Sequence, residues 1–232
     1  MKPVLLHVYK PGDREDEQAR TKAFLLENAQ ALDFVVEVIH EATVDDYDYE
    51  NIVAQAWTGE RDLIILEQDL VPTMKMIESL ATCSHFACAQ AYKINYGPHR
   101  DFVHRTDRDT TSRLIREGDE WAHIAGLGLT RFSAQLQREV PAKSWPHSRW
   151  NMLDAQISDH LYTLSLPRFK YHGTQDLIAI SDIGYSVEAR PGDVVTMRGN
   201  FLHSDFERLP GRGPYHFHVH WPEVEHNHAY RG

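Results

Sequence analysis

The chain has 232 residues, enough for one large domain or two small ones with a sizeable core. Its 42% hydrophobic and 10% aromatic content is that of a folded globular protein. A net charge of −10 argues against a broad electrostatic grip on nucleic acid, while leaving room for a local basic patch. Val4 to Tyr9 reads as a first strand, and the opening Met1–Tyr9 stretch is too short for a signal peptide. Pro11-Gly12-Asp13 breaks the strand. Residues 14 to 31 carry Ala19, Ala23, Leu25, Leu26 and Ala29 in a charged background, which suits an amphipathic helix. Phe34 to Ile39 is a β-branched run and the second predicted strand, and Tyr47 to Trp57 is a second helix.

The most informative segment follows: Asp62-Leu63-Ile64-Ile65-Leu66-Glu67-Gln68-Asp69. Four consecutive aliphatics fit a strand covered on both faces of an α/β sheet. Glu67 and Asp69 stand where that strand leaves the sheet, which is where open α/β sheets bind ligands. Carboxylates there are hard ligands for magnesium or manganese, or else an ordinary polar exit. Pro72 is placed to open a third helix through Leu80, and Phe86 to Ile94 is a fourth predicted strand. Cys83 and Cys88, five apart, make neither a disulfide framework nor a zinc ribbon, and a reducing cytoplasm is the expected compartment. Strand-helix alternation over this first part predicts a doubly wound, mostly parallel sheet.

Residues 95 to 121 hold Arg100, Arg105, Arg108, Arg113 and Arg116 among acidic residues, with little that is apolar. They form either a solvated excursion or a lid over a phosphate-bearing substrate. Gly126 and Gly128, in Ala125-Gly-Leu-Gly-Leu-Thr-Arg131, allow close backbone approach to a ligand. Trp150, Leu153, Ile157 and Leu161 share one helix face, with Asp154 beside it. Asp154 is either a first-turn carboxylate favoured by the dipole or a catalytic base. From residue 166 the chain is strand-rich: Asp176 to Ser181, Tyr185 to Ala189 and Val194 to Arg198 read as antiparallel hairpins. The last stretch holds six of the fifteen histidines, His203, His216, His218, His220, His226 and His228. Those at period two share a strand face and point to metal ligation. No run of about 18 apolar residues occurs, so no membrane span is expected.

Leu66-Glu67-Gln68-Asp69 after a buried strand resembles the Asp-x-Asp-type motif of GT-A glycosyltransferases, opening here on Glu. The 126–133 segment followed by Trp150-x-x-Leu153-Asp154-x-x-Ile157 resembles the acceptor side of small phage and bacterial members. Val224-Glu225-His226-x-His228 is similar to their C-terminal histidine segment. The resemblance implies a GT-A-like α/β core over residues 1–165 and a β-rich segment over 166–232, within which 166–213 departs from the family pattern as an insertion. It implies a cytoplasmic enzyme that moves a sugar from a nucleotide-sugar donor to a hydroxyl acceptor, which for a phage enzyme includes a modified DNA base. Asp69, His226 and Glu67 would hold manganese, or alternatively magnesium; His7, Tyr9, Glu67 and Arg131 would bind the donor. Trp150 would meet the acceptor and Asp154 would be the base. Two other readings stand beside it. An iron- and 2-oxoglutarate-dependent oxygenase would use His99, Asp101 and His203 as a facial triad. A non-catalytic nucleotide- or sugar-binding module would use none of them chemically.

Overall fold

The structure is a computed structural model that describes residues 1–96, 99–102, 115, 119–122, 124–145, 153–165, 168–171, 176–177, 194–195, 204–207, 217–221 and 228–230. Two compact units divide the chain: residues 1–158 with 216–232, and residues 159–215.

The first unit opens with β1 (Val4–Tyr9), α1 (Glu15–Glu27), α2 (Ala29–Val35), β2 (Glu37–Ala42), α3 (Asp46–Ala56), β3 (Leu63–Glu67) and α4 (Met74–Ala81). It continues with β4 (Ala87–Gln90), β5 (Lys93–Tyr96), β6 (His99–Phe102), β7 (Trp121–Ala122), β8 (Leu129–Phe132), α5 (Ala134–Glu139) and α6 (Leu153–Ser165), the last reaching into the second unit. After the second unit come β13 (Phe217–His220) and β14 (His228–Tyr230). Seven strands form one sheet in the order β2-β1-β3-β8-β4-β13-β7. From the pairings, β2, β1, β3, β4 and β13 run one way, and β8 and β7 run against them. The sheet is therefore mostly parallel, as predicted.

Both faces are covered. Leu5, Ile64, Leu66, Cys88 and Leu129 of the sheet pack with Leu25, Leu32, Met76, Ile77 and Leu80 of α1, α2 and α4. On the other face Phe132 meets Trp57 at 4.7 Å between ring centroids and Phe217 at 5.9 Å. Burial on both sides explains why β3 is aliphatic without alternation. The second unit holds β9 (Arg168–Tyr171), β10 (Asp176–Leu177), β11 (Val194–Val195) and β12 (Ser204–Glu207), an antiparallel sheet in the order β10-β9-β12-β11. The predicted strand at Tyr185 to Ala189 lies outside the described residues.

Five predicted features differ. The helix over 14–31 is two helices that meet at Asn28, and α2 carries Phe34 and Val35. The second strand therefore starts at Glu37 rather than Phe34. Burial of Leu32 and Val36 in the core outweighs the strand preference of the β-branched run. The predicted strand at 86–94 is two strands, because Ala91 N–H bonds the His220 carbonyl at 2.8 Å and Tyr92 then turns inward. Pro72 precedes the third helix rather than starting it; Thr73 caps it, accepting from Met76 N–H at 3.3 Å.

The glycine segment is the fifth. Gly128 leads into a central antiparallel strand, and its N–H donates to the Tyr92 hydroxyl at 3.1 Å. A Cβ on Gly128 would lie 2.8 Å from the Tyr92 ring, so the missing side chain makes room for a buried phenol. We expect Gly128→Ala to cost roughly 1–3 kcal/mol through overpacking. Urea unfolding measures it, and an unchanged midpoint would show that the ring moves aside freely.

Candidate active site at the carboxyl ends of β1 and β3

β1 and β3 are parallel neighbours, so the loops leaving them lie side by side. The loop after β1 turns through Gly12 at φ 79 and Arg14 at φ 47. Left-handed backbone suits glycine; for arginine it costs on the order of 1 kcal/mol. Arg14 is the one non-glycine in that region among the described residues, and its guanidinium bonds Asp69. Asp69 is 8% exposed. The two loops are laced together. Lys10 N–H donates to Gln68 Oε1 at 2.5 Å, Gln68 Nε2 to Asp13 at 3.3 Å, and Thr21 to the Gln68 carbonyl at 2.9 Å. Buried Gln18 donates to the carbonyls of Lys10 and Asp13. The predicted strand exit is therefore a rigid corner.

Glu67 points to the opposite face, where Tyr49 of α3 donates its hydroxyl at 2.8 Å. Desolvation, and then the Glu67 charge, hold the Tyr49 phenol well above its ordinary pKa. Tyr92 is raised in the same way by desolvation and then Glu67. The Asp154 carboxylate adds to the rise on both phenols, and Asp69 adds to it on Tyr92. Asp154 is partly buried in the first turn of α6, where its Oδ1 accepts Ala155 N–H at 2.7 Å. Leu153, Ile157 and Leu161 are buried, as the predicted stripe requires, while Trp150 lies outside the described residues.

His7 and Tyr9 share one face of β1. His7 is fully buried, stacks on Tyr9 at 5.5 Å and shares a hydrogen bond with His40 at 3.1 Å between Nδ1 atoms. Its Nε2 has no hydrogen-bond partner among the described residues. Tyr9, beneath Lys22 at 4.1 Å, lines a cavity of about 530 Å³ with Leu25, Val36, Val38 and His40. Burial, then His40, then Lys22 push the His7 pKa from 6.5 to about 4. Below about 6.5 the unfolded chain therefore takes a proton that folded His7 refuses. Stability present above that pH falls as the pH drops to about 4, by at most roughly 3 kcal/mol. His7→Gln should remove that share of the slope in unfolding measured from pH 7 to 4. An unchanged slope would assign it to other groups.

Other predicted residues do not join this corner. Arg131 pairs with Asp62 ahead of β3, its Nη2 at 2.5 Å, and donates to the His85 carbonyl at 2.7 Å. His99 and Asp101 lie on β6, in the three-stranded sheet β14-β5-β6, and His203 and His226 lie outside the described residues. The sheet of this unit is not the barrel an oxygenase would use. Among the described residues the two carboxylates are already engaged. Arg14 occupies Asp69, Tyr49 occupies Glu67, and no third described ligand joins them.

The tail histidines have other company. His218 and His220 project from one face of β13, with His218 opposite Cys88 on β4. Cys83, after α4, is bonded to Cys88, although no disulfide was expected from the sequence. One ligand atom from each of Cys83, Cys88, His218 and His220 lies within 4.8 Å of all the others. Burial, then neighbouring charge, lowers the pKa of both histidines, that of His220 to about 4. The sequence points to metal ligation by the period-two histidines but does not join them to Cys83 and Cys88, and it singles out neither Arg14, Tyr49 nor Tyr92. Cys-x4-Cys and His-x-His were visible, but only the β4–β13 register joins them.

No family model and no curated protein matches the chain. Among solved structures it is similar to a glycosyltransferase involved in the glycosylation of the major capsid of PBCV-1. The identity is 9%, the match covers 64% of this chain and 69% of that one, and the TM-score is 0.35. Among the described residues no helix is long and apolar enough to cross a membrane.

Proposed function

We propose that the chain is a glycosyltransferase that moves a sugar from a nucleotide-sugar donor to a hydroxyl acceptor. The observation that carries this reading is the Arg14–Asp69 pair at the carboxyl ends of β1 and β3, held by arginine in left-handed backbone. Left-handed backbone at a non-glycine persists where the surrounding structure enforces it, and such positions cluster at functional sites. A guanidinium has five N–H donors in a fixed fork, enough to bond a carboxylate and a phosphate at once. Asp69 orients Arg14, and Arg14 meets the negative charge that develops as the nucleoside diphosphate leaves.

The nucleoside end enters the cavity beside Tyr9 and Lys22. There Lys22 adds positive charge near the phosphates. Asp154 removes the proton of the attacking acceptor hydroxyl, forming the new glycosidic bond as the sugar–phosphate bond breaks. The net charge of −10 favours a small acceptor over duplex DNA. The manganese of the GT-A resemblance is an arm of the test rather than a premise.

A thermal-shift panel with uridine and guanosine diphosphates, with and without manganese, tests the reading. Binding at 100 times the dissociation constant stabilises by about 2.7 kcal/mol. A shift with nucleotide alone, lost in Arg14→Met, supports the guanidinium as the diphosphate ligand. A shift that needs manganese and survives Arg14→Met assigns that charge to a metal and removes Arg14. Stabilisation only by iron with 2-oxoglutarate overturns the transferase. Nucleotide binding with no consumption of any donor sugar leaves a binding module in its place.

A further inference from the structure

We propose that Cys83, Cys88, His218 and His220 form a tetrahedral zinc site that pins β13 to the sheet. The site is separate from the carboxylate corner. Cys88 pairs with Arg131, and Arg131 with Ile64, near the start of β3, whereas Asp69 lies beyond its end. At about 3.3 Å per residue the two are some 15 Å apart along the strands.

Four elements of geometry converge. His218 and His220 are two apart on a strand, so both imidazoles leave one face. The parallel register sets His218 directly opposite Cys88. Cys83 comes from the turn after α4, which packs over the same face. The Cys-x4-Cys spacing falls within the range of structural zinc sites. Zinc bonded at about 2.3 Å to sulfur and about 2.05 Å to nitrogen sets tetrahedral edges of about 3.3 Å between nitrogens and about 3.6 Å between sulfur and nitrogen. Here His218 Nδ1 and His220 Nε2 are 3.3 Å apart, and Cys83 Sγ and His218 Nδ1 are 4.0 Å apart. Two thiolates and two neutral imidazoles suit zinc over the hard cations magnesium and manganese. They also cancel its charge, which favours binding at this partly buried site.

The surroundings fit a ligand set. Arg131 donates toward Cys88 Sγ at 3.7 Å, an N–H that favours thiolate there. His85 and Trp121 pack on the His218 ring at 4.3 and 5.3 Å between centroids, limiting water access. The two cysteine Cα atoms are 7.0 Å apart, beyond the usual disulfide span of roughly 4.4–6.8 Å. An ion between the sulfurs uses that spacing. The bonded pair is the two-electron oxidised, metal-free form. One phosphine reduces it to two thiols, taking oxygen from water to become its oxide. Zinc then displaces the two thiol protons. The consequence lies in the fold: β13 returns from the 159–215 excursion, and the ion fixes it to β4 and the end of α4.

Full-length chain, reduced with a phosphine and stripped by chelator, is titrated with cobalt(II) and then zinc. One equivalent of cobalt should give a thiolate-to-cobalt charge-transfer band with intense tetrahedral d–d bands, displaced by one equivalent of zinc. Cys83→Ser should lose much of the charge-transfer intensity. His220→Asn should keep that band and bind zinc at least ~100-fold more weakly. Circular dichroism checks that each variant folds. The oxidised parent needs no substitution and should bind no cobalt at this site. Reduced parent without the band overturns the proposal, as does His220→Asn with parental affinity or oxidised protein that binds equally well.

Discussion

Asp154→Asn is expected to lower glycosyl transfer by ~10²–10⁴-fold, the usual worth of a positioned general base. The amide keeps the size of the carboxylate and removes its basicity, so donor binding should hold within a few-fold. In the structure the Asp154 charge adds to that of Glu67 in raising the Tyr49 and Tyr92 phenols. A carboxylate that only favours the helix dipole would be worth roughly 0.3–1 kcal/mol, and its loss would appear in unfolding alone. Turnover and unfolding free energy measured on one preparation separate the two. A variant with near-normal turnover and a small stability loss would end the base assignment, and Asp154 would then be a first-turn carboxylate bonded to Ala155.

What the sequence discloses depends on range. The buried strand 63–67 is legible because four aliphatics without alternation need cover on both faces, which is what surrounds it. Its carboxylates are legible because strand ends are where α/β sheets bind ligands. The start of β2 is not, because Phe34 and Val35 carry strand-forming side chains and are held in α2 by a core contact through Leu32. Gly128 misleads in a related way. A glycine can admit a ligand or a neighbour, and only the fold shows that the neighbour is Tyr92. The Cys83–Cys88 and His218–His220 pairs are 130 residues apart or more, and a strand that returns after a separate unit joins them. No local pattern carries that pairing. Arg14 escapes notice for the opposite reason: it is close to the corner, but its value lies in a backbone angle that sequence leaves open.

Asp62→Asn is expected to cost about 3–5 kcal/mol, because it strands a buried guanidinium. The Arg131 side chain is 5% exposed, and Asp62, at 28%, is its anionic partner. Asparagine keeps an acceptor for the Ala134 N–H that Asp62 Oδ1 binds at 2.7 Å, so the loss reports the charge rather than the start of α5. Arg131→Met should cost less, since Asp62 can turn to water once its partner is gone. Asp62→Asn with Arg131→Met should then be close to Arg131→Met alone, and the cycle gives the coupling. A cost below about 1 kcal/mol for Asp62→Asn would mean that the His85 carbonyl and water satisfy the guanidinium without it. The same variant decides where Arg131 acts. The GT-A resemblance places it on the donor, whereas the structure sets it against Asp62 ahead of β3. Nucleotide affinity per folded molecule should therefore be unchanged in Arg131→Met. A tenfold loss there, with stability intact, would return Arg131 to the donor site and move that site away from Arg14 and Asp69.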